Sequence, residues 1–552
     1  MRKPRISSAV AGLGMGNYNY LHYLVFMKHL NRYLSILPII LISISFASAQ
    51  SITSAEVDVL AERTLKAFDV PGIAVAIIKD GKVIHSKGYG VRSLGSPEKV
   101  DENTLFGIAS NSKAFTAATL GILVDEGKLK WDDRVIDYIP EFRMYNAYVT
   151  EEFTIRDLLT HRSGLGLGAG DLMFWPGQNS FTMKDIIHNL RYLKPVSGFR
   201  TKYDYDNLLY MVAGEVVARV SGKPWEEFVE EMIMRPLGMS KSASSFNRLK
   251  DKSNVIAAHA VVDGKVKVID RDRFEFGNSA GGINSSISEL SKWVIMQLQH
   301  GKYGDEKQLF SENVHEEMWD PQTIIPVRSP GIYNTHFNSY GLGWNISDVM
   351  GYKQASHTGF VAGMVTQVTM VPELNLGIIV LTNQQIGAAF SSITNQIKDS
   401  YFGIKGKDRV KENADRMQSN LGNADKVTTE AWKVSAAATP PSNLGQYTGT
   451  YRDVWFGDIS IRMKNGKLFF GSQRSPRISG EMFFYKGNTF LAKWTDRSLD
   501  ADAFIMFSLD YEGSPSGIKM KPISPLTDFS YDFQDLDFKR VQGGDKAVST
   551  GL

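Results

Sequence analysis

Two blocks of strand-like sequence, far apart in the chain, constrain what it can fold into more than any other feature. The first is a pair of apolar runs, residues 72–79 and 82–88, flanking Asp80-Gly81, a strong two-residue hairpin signal. The second starts at Tyr340-Gly-Leu-Gly-Trp344 and continues through residues 354–360, 364–371 and 376–382, with Pro372-Glu-Leu-Asn-Leu as a turn. Between them the apolar spacing is mostly helical, with helices expected over residues 208–220, 223–240 and 287–299 and a strand pair around 257–268. Helical patterns at 55–68 and 388–401 bracket the whole. Runs joined by tight turns read as antiparallel, so residues 50–404 are expected to form an α/β (α+β) domain: an antiparallel sheet flanked by helices, with a helical subdomain.

One stretch within this frame carries chemistry. In Phe106-Gly-Ile-Ala-Ser110-Asn-Ser-Lys113-Ala-Phe-Thr-Ala-Ala-Thr-Leu120, an apolar lead-in runs into a helical pattern, placing Ser110 at or near a helix N-terminus. Residues three apart share a helix face, so the Lys113 amine lies beside the Ser110 hydroxyl. A hydroxyl becomes a useful nucleophile only when a neighbour takes its proton. The pattern Ser-x-x-Lys recurs at Ser96 and Ser516 and decides nothing alone. Tyr205 and Asn207 stand at the start of the helix expected from 208; taken alone they read as a packed ring and a helix cap. His161, after the short helix that Thr154 should cap, reads as satisfying carbonyls rather than as a base. Gly166–Gly170 lacks the Lys-Ser/Thr of a phosphate loop and reads as a mobile loop.

Composition removes several alternatives. The 552 residues include no cysteine, which rules out disulfides and thiolate chemistry. With 43% hydrophobic and 22% charged residues the chain has a soluble globular composition. The net charge of +3 is spread along the chain, so a nucleic-acid partner is not implied. Met27-Lys-His-Leu-Asn-Arg32, an apolar run over residues 34–46 and Ala47-Ser-Ala49 form the three regions of an export signal. Translation is expected to start at Met27, with cleavage after Ala49 and a periplasmic or secreted product. The apolar run is shorter than the ~20 residues of a membrane span.

Residues 405–442 read as a partly helical linker closing on Thr439-Pro-Pro-Ser442. Beyond it, from 443 to about 545, eight short strand-like runs separated by turn signals such as Asn465-Gly466 argue for a small all-β barrel whose aromatics form its core.

The ordered set Ser110-Asn-Ser-Lys113, Tyr205-Asp-Asn207 and His357-Thr358-Gly359 resembles the serine β-lactamase and penicillin-binding-protein superfamily, in its class C-like branch with esterases and D-aminopeptidases. Val70-Pro-Gly, residues 154–165, Pro236-Leu-Gly-Met and Gly281-Gly282 fit the same frame, and the tail is similar to the lipocalin-like domains appended to such hydrolases. The resemblance implies a Ser110 acyl-enzyme, with Lys113 and Tyr205 as proton acceptor and donor. It further implies that Asn207 orients substrate and binds the lysine, that His357, Thr358 and Gly359 line the pocket, and that the N–H groups of Ser110 and Phe360 form the oxyanion hole. No metal or cofactor is implied; the partner is a small-molecule or short-peptide substrate, and the oligomeric state stays open. His357 stands where most β-lactamases carry lysine, so the expected substrates are small esters, amides or D-amino-acid-containing peptides. The alternatives are a D,D-peptidase or β-lactamase, and a non-catalytic ligand-binding or sensor protein.

Overall fold

The computed structural model describes residues 51–272 and 276–541. The expected N-terminal extension and export signal, residues 1–49, lie outside the described residues, as does the chain after Val541. Among the described residues no helix is long and apolar enough to cross a membrane.

Helix α1 (Ser54–Ala67) is opened by a capping box in which Thr53 and Glu56 satisfy each other's backbone N–H groups. Strands β1 (Gly72–Lys79) and β2 (Lys82–Gly90) follow as the expected hairpin. Strands β3 (Thr323–Ile324), β4 (Asn338–Tyr340), β5 (Asn345–Val349), β6 (Tyr352–Val361), β7 (Met364–Val371) and β8 (Leu376–Thr382) complete one sheet. Its order is β2-β1-β8-β7-β6-β5-β4-β3, antiparallel throughout. The first strand of the domain, β1, pairs with its last, β8, in the second and third places of the sheet, with Val75 opposite Val380. Side chains alternate across a strand. Ile73, Val75 and Ile77 therefore join a core with Leu60 of α1 and Ile393 of α5 (Gly387–Tyr401). Ala74, Ala76 and Ile78 join the opposite core with Phe115 and Trp293.

That second core surrounds helix α2 (Ser112–Asp125), every residue of which from Ser112 to Leu123 is buried. Phe115 stacks on Trp293 of helix α4 (Ile287–Leu298) at 4.0 Å between ring centres. Helix α3 (Leu208–Ser221) packs against α2 and ends on Gly222 in the left-handed conformation. Residues 223–240 are not one α-helix: a turn over Trp225–Val229 passes into a π-helical turn, Glu230–Met234. Pro236 denies that turn a further backbone donor, and the Glu230 carboxylate ties it to Ser244 and Arg248.

The stretch expected as a partly helical linker contains one continuous helix, α6 (Arg409–Ala437), capped by Asp408. It lies along α5 and α1 at one end and the strand Ser479–Lys486 at the other, where Ser435 donates to the Phe484 carbonyl. Eight strands then close a barrel: β9 (Gly449–Asp453), β10 (Gly457–Lys464), β11 (Lys467–Ser472), β12 (Ser479–Lys486), β13 (Thr489–Trp494), β14 (Ala503–Leu509), β15 (Pro515–Pro522) and β16 (Phe538–Arg540). Tyr451, Phe470, Phe490, Trp494 and Phe507 fill it. The barrel docks on the helical subdomain through Arg477–Asp272 (2.6 Å) and Arg474–Asp185 (2.9 Å).

Within that subdomain the fully buried Asp157 carboxylate accepts from Arg162 (2.8 Å), Arg200 (2.6 Å) and the Thr154 N–H (3.0 Å). Burial opposes its charge, but these hydrogen bonds and the Arg162 charge outweigh it and hold the carboxyl below the usual aspartate value. Its contribution is thus present above pH ~4 and lost as the pH falls below that. Removing one partner of a buried pair strands the rest, so Asp157→Ala is expected to cost about 3 kcal/mol in urea unfolding at pH 7. The gap to wild type should narrow in acid.

Candidate active site

Ser110 sits in a 3₁₀ turn, Ala109–Asn111, that leads directly into α2. Ala109 before it is held at a φ of 48°, a left-handed backbone that a non-glycine residue adopts only when its surroundings enforce it. Asn111 and Thr366 enforce it: the Asn111 amide donates to Thr366 Oγ1 (2.8 Å), whose hydroxyl donates to the Ile108 carbonyl (2.9 Å). Strand β6 must pass close to this turn. A side chain at Gly359 would come within 2.2 Å of the Ile108 oxygen, so only glycine allows the approach.

Lys113 is fully buried behind the serine. Its Nζ lies 3.0 Å from Ser110 Oγ, 2.7 Å from Asn207 Oδ1 and 2.9 Å from the Ala280 carbonyl. The two carbonyl oxygens can only accept, so a neutral amine spends its two N–H groups on them and turns its lone pair to the Ser110 hydroxyl. Burial favours that neutral form; the charges of Asp171 and Asp206 oppose it, and the amine is brought down to about 7. Its nitrogen also stands 4.8 Å from the Tyr205 ring centre.

Tyr205 is half-buried over the serine. Burial pushes its phenol well above the usual tyrosine value, against a hydrogen bond with Ser110 that lowers it. Asn207 occupies the capping position of α3, yet its side chain does not cap. It bridges inward, accepting from Lys113 and donating to Asp171 Oδ2 at 2.8 Å. His161 is not bound to carbonyls through its ring: Nδ1 accepts the Asp206 N–H at 3.0 Å, and the ring packs 4.3 Å from that of Tyr205. Its backbone is left-handed (φ 53°).

On β6, His357 Nδ1 lies 2.6 Å from the Thr358 carbonyl and must carry the proton; Nε2 then accepts from the Tyr340 hydroxyl at 2.8 Å. Burial and the nearby Lys113 push the ring down to about 3, so it is neutral. Ser110, Tyr205, Asn207, His357, Thr358 and Phe360 all line one cleft of about 530 Å³. Lys113 lies behind its wall, and Gly359 serves packing rather than lining. Among the described residues no group of three or more histidine, aspartate or glutamate side chains is arranged to hold a metal.

A profile of the beta-lactamase family matches residues 58–399, most of the chain. The chain belongs to the beta-lactamase family. A second profile, a domain of unknown function (DUF3471), matches residues 433–540, the barrel with the end of α6. The chain is 25% identical over 486 residues to the Unguisins hydrolase ungD' of Aspergillus campestris (strain IBT 28561), covering 84% of this chain and 88% of that one. It is 26% identical over 339 residues to Protein flp of Staphylococcus aureus (strain NCTC 8325 / PS 47), covering 59% of this chain and 62% of the other. Among solved structures, the octameric penicillin-binding protein homologue from Pyrococcus abyssi has a similar fold, with a TM-score of 0.57 at 21% identity, over 88% of this chain and all of that one.

Several residues at this cleft had no signal in the sequence. Asp171 follows the glycine-rich segment expected to be a mobile loop. That segment is pinned: the Gly168 N–H donates to the Tyr205 carbonyl (2.8 Å) and the Gly170 N–H to Asp532 (2.7 Å). Asp528, Phe529 and Ser530 reach the cleft from the connection between β15 and β16 of the barrel, with Phe529 edge-on to Tyr205 at 5.8 Å. NMR of protein labelled at lysine Cε is expected to show one amine titrating near 7, absent from Lys113→Met. A lysine set titrating only around the ordinary ~10.4 would contradict the buried-amine geometry.

Proposed function

We propose that this member of the beta-lactamase family is an exported serine hydrolase that cleaves small esters, amides or D-amino-acid-containing peptides through an acyl-enzyme on Ser110. The observation that carries the reading is the buried Lys113 amine, poised near neutrality 3.0 Å from the serine oxygen. Neutral Lys113 takes the hydroxyl proton as Ser110 Oγ bonds to the carbonyl carbon. The N–H groups of Ser110 and Phe360 receive the negative charge on the carbonyl oxygen. Tyr205, kept un-ionised by burial, passes its proton to the departing oxygen or nitrogen and is re-protonated by Lys113, which returns the amine to its neutral form. Water then attacks the ester and regenerates the serine. A relative named as a hydrolase, matched over most of both chains, supports hydrolysis over ligand binding.

The cleft supports uncharged acyl donors. Phe174, Trp175, Tyr203, Phe360 and Phe529 supply apolar walls. The neutral His357, committed to Tyr340 and Thr358, leaves no fixed cation there for a substrate carboxylate. This weighs against efficient β-lactam hydrolysis. The segment ending Ala47-Ser-Ala49 and the absence of cysteine support export.

A fluorophosphonate probe should label the wild type and not Ser110→Ala, and turnover of short-chain p-nitrophenyl esters should fall at least about a thousandfold in that variant. Undiminished turnover would defeat the proposal; a stable adduct with labelled penicillin at faster rates than ester turnover would move it to the peptidase reading. Because the neutral amine is the base, labelling should slow as the pH drops through about 7 and level off above.

A further inference from the structure

We infer that Ser530, contributed by the barrel domain, is a positioning residue for the Lys113 base, acting through Asp171 and Asn207. The inference rests on the serine-hydrolase reading above and adds a role for the second domain. The path is continuous. Ser530 Oγ donates to Asp171 Oδ2 at 2.9 Å, Asn207 Nδ2 donates to the same oxygen at 2.8 Å, and Lys113 Nζ donates to Asn207 Oδ1 at 2.7 Å.

Each link has one workable orientation. An Asn207 amide turned over would set its NH₂ against the lysine N–H and its oxygen against the carboxylate, so Asp171 decides which end the lysine meets. Asp171 in turn is fully buried, and its Oδ1 has no hydrogen-bond partner. Among the described residues the Ser530 hydroxyl is therefore one of two side-chain donors to that carboxyl. Asp532, two residues on, holds the segment in place by accepting the Gly170 and Leu172 N–H groups at 2.7 and 3.1 Å.

The groups facing the amine fix the sign of the effect. They are the carboxyls of Asp171 and Asp206, the phenols of Tyr205 and Tyr210, and the imidazoles of His161 and His357. Of these the carboxyls favour the ammonium by their charge, and the Tyr205 and Tyr210 rings add a weaker attraction through their faces. Burial, then Asp532, drives the Asp171 carboxyl well up, and the hydrogen bonds from Asn207 and Ser530 work the other way. Without the Ser530 donor the Asp171 charge is less well held, and Lys113 sheds its proton more easily.

The test is the lysine Cε titration of the full chain by NMR, run beside the pH profile of fluorophosphonate labelling. Ser530→Ala should move both midpoints down by about half a pH unit, the size of one hydrogen bond. Ser530→Thr, which keeps the hydroxyl, should restore them, and Asp171→Asn should move them further in the same direction. If alanine unfolds the segment, Ser530→Cys, a weaker donor of similar size, is expected to give the same downward shift. Midpoints unmoved in the alanine or cysteine variant overturn the inference. If labelling is unchanged in Ser110→Ala, the hydrolase reading fails, while the NMR titration still decides whether Ser530 acts on Lys113.

Discussion

Taking one amine out of water is the constraint on which the rest of this structure depends. Lys113 is sealed in a core where an ammonium is costly, and the surrounding elements supply two carbonyl acceptors and a hydroxyl rather than a bound carboxylate. That choice of partners leaves the nitrogen poised between its two protonation states near neutrality. A direct ion pair would have held it charged and useless as a base. The carboxyls that do lie nearby, Asp171 and Asp206, are themselves buried and driven toward neutrality.

Such a pocket needs walls that converge to fractions of an ångström. The central helix α2 is enclosed on all sides, and strand β6 can approach the turn before it because residue 359 has no side chain. The strain at Ala109 is held by Asn111 and Thr366, so the nucleophile is presented by a rigid turn rather than by a loop. Rigidity of this kind keeps reacting groups in place without a fresh ordering cost at each turnover.

The second domain is part of this arrangement. Helix α6 runs from the first domain's outer helices to the barrel, and ion pairs between Arg477 and Asp272 and between Arg474 and Asp185 fix the docking. The connection between β15 and β16 can then thread Phe529, Ser530 and Asp532 against the cleft and its supporting carboxyl. Most of the barrel's aromatics are ordinary core, as aromatic-rich strands imply, and Phe529 is an exception because its segment leaves the barrel.

What the sequence by itself determined is whatever depends on neighbours a few residues away. The Ser110–Lys113 pairing follows from helical spacing, the eight barrel strands from turns such as Asn465-Gly466, and the hairpin from Asp80-Gly81, since each is written in local backbone geometry. Tyr205, Asn207 and His357 entered through a resemblance of ordered motifs, not through any rule of spacing. Only the tertiary structure decided that Asn207 bridges instead of capping, that His161 packs against Tyr205, that burial and Lys113 keep His357 neutral, and that Asp171 and Ser530 stand behind the lysine. Those facts join residues separated by tens to hundreds of positions, 359 in the case of Asp171 and Ser530. Protonation and hydrogen-bond partnership are set by burial, and burial exists only once the chain has closed on itself.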